Sequence, residues 1–498
     1  MEEKYMKTKK IIMITMCCLI CVMAIGYAAF ATNLTINGTA NITSTWKVLF
    51  TKIEEVSKTS GVTITKVPTA EGTNATFNVD LKSPGDKIIY KITVANQGTL
   101  DAIINDITAS ETGSDAIEFE ISGIKKGDKL AKSATTTFNV TISYDESVTS
   151  QPTTTNNTLT VNINYVQDLG QTITSSDVII EKPLLLSAQI LKDNNAQTDT
   201  NIDFSQPHSD TNGKGLYYTS TNTENNKVTY YFRGAVKNSY VKFGGFSWKI
   251  IRVNEDGSVR LINNLSLNAQ GFFNYNQDDA AYVGYMYGTP GSTTYAATHA
   301  NVNSSDIKQK IDKWYEDNLV NYSQYLADAG FCGDRSVASS ANTWDSNDTA
   351  LGYGTNTTFY GAFNRLYKNK APQFKCPQEN DLYTTSTAAK GNKALTYPIG
   401  LITADEVAYA GGVYSLGGLN AVTVSRYYLN SYAESLWTMS PSISATVAGV
   451  WFMFRDGYMS YPAARNLNYI YPVINLKSTV EITSGDGTLN NPYVIKTN

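Results

Sequence analysis

Only two histidines occur in the chain, His208 and His299, so a Ser/His/Asp or Cys/His centre would have to use His299. His299 sits in Ala296-Ala297-Thr298-His299-Ala300 with no nucleophile-elbow motif beside it. The adjacent acids Asp405-Glu406 could be a glycosidase pair, but neighbours on a helix diverge by about 100° and do not face one sugar. Following Thr403, they read instead as first-turn acids of a capped helix. Asp278-Asp279 and Asp345 with Asn347-Asp348 are calcium candidates by composition alone. There is no H-E-x-x-H or EF-hand loop, and no C-x-x-C outside the apolar N-terminal run that holds Cys18 and Cys21, so no metal or other cofactor is expected. Of five cysteines, Cys17, Cys18 and Cys21 lie in an apolar N-terminal run. Cys332 and Cys376 are left as a disulfide pair or as two buried thiols.

Binding chemistry is better represented than catalysis. From Ile443 to Tyr471 the chain is dense in aromatics, amides and arginines: Trp451, Phe452, Phe454, Arg455, Tyr458, Tyr461, Arg465, Asn468, Tyr469 and Tyr471. Aromatics bring large contact area at small entropy cost and dominate interface hot spots. These ten residues are the expected ligand-binding set. About half of the aromatics in the tail are expected in the core, Trp437 foremost.

The elements that position them fall into blocks. Lys4, Lys7, Lys9 and Lys10 precede an uncharged run, Ile11 to Ala31, which ends in Ala29-Phe30-Ala31. This is the form of a secretory signal, or of a retained anchor, since about 20 apolar residues also span a bilayer. Residues 1–31 are assigned to that segment, the one contact with a membrane. Without it the net charge moves from −4 to −6, because four Lys and two Glu leave. With charged residues at only 17%, the chain has no basic footprint for nucleic acid. Leu34 to Trp46 alternates as a strand. Within 32–167, further alternating runs at 75–79, 87–94, 117–121, 137–142 and 159–165, separated by turn signals such as Ser83-Pro84-Gly85-Asp86, predict a β-sandwich of Ig-like or jelly-roll type. Residues 168–227 read as a linker with a short helix. Residues 228–498 read as an α+β domain. It has a hairpin at 246–262, a helix after Ser304-Ser305 carrying Ile307, Ile311, Trp314 and Leu319, and a helix capped by Thr403.

Two resemblances follow. Gly26-Tyr27-Ala28-Ala29-Phe30, then Leu81-Lys82-Ser83-Pro84-Gly85-Asp86-Lys87 and Asn96-Gln97-Gly98, resemble TasA/camelysin-type biofilm fibre proteins of Gram-positive bacteria. The likeness covers about a quarter of the chain and implies that an N-terminal segment can complete a neighbour's sheet. Tyr230-Tyr231-Phe232-Arg233-Gly234, Trp248-Lys249-Ile250-Ile251-Arg252, Gly400-Leu401-Ile402-Thr403-Ala404-Asp405-Glu406, Trp437-Thr438-Met439-Ser440-Pro441 and Pro472-Val473-Ile474-Asn475-Leu476 resemble a domain of gut Firmicutes surface proteins. More distantly they resemble C-type-lectin-like folds, including the formylglycine-generating type. Cys332 and Cys376 match no motif of that enzyme, and the calcium-lectin triplets are missing, so neither activity is implied. Tyr469-Ile470-Tyr471 stands where the pattern has Gly-Val-Arg, a place that retroelement-diversified domains vary.

The expectation is an extracellular or cell-surface, non-enzymatic adhesin of a Gram-positive-type bacterium. Its partner would be a host or neighbouring-cell protein or glycan. The alternatives are a fibre or biofilm-matrix subunit that self-associates by strand donation, and a glycan-active enzyme.

Overall fold

A computed structural model describes residues 6–17, 44–114, 116–149, 152, 155–267, 270–338, 357–414, 426–429 and 434–497. Residues 6–17 are helical and exposed. No helix among the described residues is long and apolar enough to cross a membrane. The rest of the apolar N-terminal run, and residues 34–43 of the strand expected at Leu34 to Trp46, lie outside the described residues. Trp46 is described and is not in a strand; the first strand begins at Val48.

The described residues are β-rich and gather into two large cores and one small cluster, Tyr217, Tyr231, Phe374 and Tyr409. In the first, Val48–Lys58, Lys87–Asn96, Thr135–Tyr144 and Ile117–Ser122 lie side by side in that order, all antiparallel. A second sheet is built on Ala102–Gly113, which pairs with Asn157–Gln167 along its whole length. Alternation makes the two faces. In Lys87–Asn96, Ile88, Tyr90, Ile92 and Val94 point inward to meet Phe138, Val140, Ile142 and Ile104. The five alternating runs expected from sequence are all strands. Ala102–Gly113 is a strand without a clear alternating signature: its first three residues are all buried, and it alternates only from Ile107 onward.

The second core begins earlier than expected. Residues 168–227 are not a free linker. Ile180–Glu181 pairs in parallel with Ala109–Ser110 of the sandwich. The helix Leu186–Asp193 buries Leu186 and Ile190 in the C-terminal core, and Gly215–Thr219 pairs with Thr229–Arg233. The polar composition that suggested a linker instead supplies turns. Asn212, for example, donates to the carbonyls of Asp203 and Pro207. The boundary therefore falls at 182–185, and the C-terminal unit runs from about Leu186 rather than from residue 228.

That unit holds a nine-stranded and a six-stranded sheet. In the first, the expected hairpin is present as Phe246–Val253 against Val259–Asn263. Tyr493–Ile495 returns to pair with Tyr240–Phe243, and the Tyr493 hydroxyl donates to Asp193 at the end of the unit's first helix. The second is built on Leu436–Ser444 and Ala448–Met453. Both expected helices form. Asp306–Asn318 is capped by Ser305 and buries Ile307, Ile311 and Tyr315. Ala404–Ala410 carries a full capping box, Thr403 with Glu406.

Candidate ligand-binding cleft

The aromatic tail does not form a surface. All six residues of Ala448–Met453 are buried, so Trp451 and Phe452 face the core. The Trp451 ring lies 5.1 Å from Tyr414 and 6.2 Å from Phe363, while Phe452 lies 6.4 Å from Trp437. Tyr458, Asn468 and Tyr471 are buried as well, and Phe454, Tyr461 and Tyr469 are half-buried. Only Arg455 and Arg465 of the expected ten are exposed, and Arg465 is stacked on Tyr275 at 4.2 Å. The physical reason is that Ala-Gly-Val-Trp-Phe-Met is a continuous apolar run covered on both faces, which is the pattern of a buried strand. As expected, Trp437 is in the core, its indole N–H donating to the Gly271 carbonyl at 2.8 Å.

His299 is a packed core side chain. It is 1% exposed, stacked on Tyr295 at 4.1 Å, with Nε2 3.3 Å from the Tyr360 hydroxyl. Burial and the nearby Arg335 pull it down to about 3. Asp279 caps a turn by accepting from the Ala281 and Gly291 amides. Asp345, Asn347 and Asp348 lie outside the described residues.

The structure assembles a different site, a cleft of about 380 Å³ in the C-terminal unit. Its floor grows out of the helix Ala404–Ala410. Asp405 and Glu406 diverge, as adjacent helical residues must, and each meets a different arginine. Asp405 takes a bidentate grip from Arg365, Nε at 2.8 Å and Nη2 at 2.9 Å, and Arg365 also reaches Asp334 at 2.6 Å. Glu406 uses Oε2 for the capping box, and its Oε1 faces Arg252 Nε at 3.1 Å and Arg260 Nε at 2.7 Å. Burial works against the Arg365 charge, but Asp405 and Asp334 outweigh it and hold the guanidinium above its ordinary value. Arg260 has weaker support; burial brings it down to about 10 against the pull of Glu406. Local sequence gives these two acids a capping role and does not show the arginines, which arrive from 40 to 154 residues away.

One wall is a strap, residues 371–378. The Gln373 amide donates to Asp405, and Phe374 stacks on Tyr409 at 3.9 Å and lies under the Arg252 guanidinium at 4.9 Å. The Cys376 amide donates to Glu224 Oε1 at 2.9 Å. Cys332 and Cys376 are disulfide-bonded, Cα to Cα 5.5 Å, which ties the strap to the strand Phe331–Cys332. Also in the lining, Asp328 accepts from the Thr385 amide and hydroxyl. Burial pushes the Asp328 carboxyl above its ordinary value, with the Thr385 bonds opposing. No motif spacing foretells this wall, since its members come from separate loops. Thr403-Ala404-Asp405-Glu406 was the one local signal.

Among the described residues no group of three or more His, Cys, Asp or Glu could hold a metal. The chain matches no family model, no curated protein and no solved structure.

Proposed function

We propose that the protein is an extracellular binding protein whose C-terminal unit captures its ligand in the charged cleft rather than on the aromatic tail. The cleft carries this reading: it is a cavity of ligand size whose arginine floor is held rigid by Asp405, Glu406 and Asp334. Those carboxylates are engaged by guanidinium groups, which favours capture over acid–base turnover. The Cys332–Cys376 disulfide supports an oxidising compartment, in keeping with the export signal. The unit's fold is taken as C-type-lectin-like. The two ends of the unit meet, the Leu186 amide donating to the Val480 carbonyl and the Tyr493 hydroxyl to Asp193, which supports that. The partner is a protein or glycan of a host or neighbouring cell.

Ala389 is exposed and lines the cleft, so Ala389→Trp plugs it without disturbing the core. Binding to arrays of immobilised surface proteins and glycans should be lost in A389W and retained in Arg455→Ser. The converse result rejects the cleft.

A second reading has its own observation. Among the described residues, Asn74–Asp80, Ile117–Ser122 and Asn157–Gln167 each leave one edge unpaired, and all three border a groove of about 420 Å³ lined by Phe77, Ile117, Phe119 and Leu159. Such a groove accepts a strand. Electron microscopy of the protein with and without residues 32–46 tests the fibre reading. Filaments that require that segment support it, and their absence in both rejects it.

A further inference from the structure

Five cations and seven carboxylates line the cleft, a formal balance of −2. Ion pairing on the floor does not remove this imbalance, because it matches opposite charges within the protein. Asp328 has no cation within ion-pair distance among the described residues, and its carboxyl is buried enough to be pushed up. A second acceptor is also unmet: Asn254 is 6% exposed, its amide nitrogen donates to Ser258 and Asn475, and its Oδ1 accepts nothing. An acceptor buried without a donor is costly. The opposite deficit is a donor without an acceptor; Arg260 Nε also lacks a hydrogen bond but has Glu406 Oε1 at 2.7 Å, which leaves Arg252 Nη1 as the donor with no close oxygen. Arg252 Nη1 is buried with no hydrogen-bond acceptor, and Glu255 Oε2 is 3.8 Å away, too far to serve.

We infer that the cleft binds a primary ammonium group carried on the same molecule as a carboxylate or carbonyl oxygen, as in a basic amino acid or a lysine within a peptide. The ammonium supplies donors to Asn254 and Asp328 and offsets the −2 balance. The oxygen accepts from Arg252 Nη1. The net negative charge in a partly enclosed site favours the cation over a simple anion. This rests on the cleft reading proposed above and names the ligand chemistry for it.

The test is calorimetric titration of the full-length protein with L-lysine, hexylamine and hexanoate. L-Lysine is expected to bind at least tenfold more tightly than hexylamine, and hexanoate not to bind. Asp328→Asn should weaken both amines at least tenfold, with its thermal melt recorded alongside. The wild-type comparison of the three probes stands even where that variant fails to fold. Hexanoate binding as tightly as L-lysine, hexylamine equalling L-lysine, no amine binding at all, or a folded D328N that binds unchanged would each overturn the inference. The two proposals fail separately. Loss of array capture in A389W with no amine binding removes the amine and leaves the cleft, whereas unchanged capture in A389W removes the cleft itself.

Discussion

Arg365 shows how a buried charge is afforded in this protein. Its guanidinium meets Asp405 and Asp334 at hydrogen-bonding distance, and its side chain is 14% exposed. Removing one partner of such a pair leaves the others buried and uncompensated. Arg365→Met should therefore cost about 3–5 kcal/mol in a denaturant melt. Asp405→Asn, which keeps the shape, should couple with R365M, the double variant losing less than the sum of the singles. His299 makes a different demand. Its folded pKa, near 3, lies below the ordinary 6.5, so the unfolded chain binds the extra proton first. The stability tied to the neutral ring is present above pH 6.5 and is lost as pH falls toward 3. The slope approaches about 1.4 kcal/mol per pH unit. In His299→Asn that part of the slope should vanish from melts recorded between pH 6 and 4. Arg365's role was not legible from neighbours in sequence, because Asp334 and Asp405 lie 31 and 40 residues away; His299 has a local partner in Tyr295, but the Tyr360 hydroxyl that meets its other nitrogen comes from 61 residues on.

At the scale of elements, the local rules held where the signal was local. The capping box of Ala404–Ala410 and the Ser305 cap of Asp306–Asn318 need only residues within one turn, and both were readable. The helix Ala404–Ala410 ends at Gly411, at a φ of +126°, where a Cβ would stand 2.9 Å from the His208 side chain. Gly411→Ala should lower the melting point by more than an exposed Gly→Ala change, since strain and contact both act. The strap 371–378 depends on its disulfide. The two cysteines are 44 residues apart, which in the chain-entropy model makes the bond worth about 4 kcal/mol. The double variant Cys332→Ser/Cys376→Ser should lose stability of that order in urea. Because the strap is one wall of the cleft, ligand affinity should fall with it. The aromatic tail failed as a surface at this same scale. Alternation cannot say whether a sheet has one covered face or two, and here Trp451 and Phe452 are enclosed from both sides.

For the whole molecule, the decisive fact is where the second core starts. Leu186, Ile190 and Leu216 are at most 2% exposed and belong to the same cluster as Trp248 and Tyr493. A chain starting at residue 183 should melt in one cooperative transition with the same midpoint as the C-terminal transition of the full-length protein. A chain starting at 228, the boundary that composition suggested, loses a helix and the strand Gly215–Thr219. It should be insoluble or molten by near-UV circular dichroism.

Sequence by itself determined what depends on nearest neighbours: a basic and apolar N-terminal run, alternating strands in the first unit, a hairpin and two capped helices in the second, and two cysteines to pair. Those signals are set by backbone geometry and by periods of 2 and 3.6 residues. Only the tertiary structure decided which faces meet water. It turned Trp451, Phe452, Tyr458 and Tyr471 inward, and it drew Arg252, Arg260, Arg365 and Asp328 from separate segments around Asp405 and Glu406. Burial is a property of what packs on top, and what packs on top comes from far along the chain.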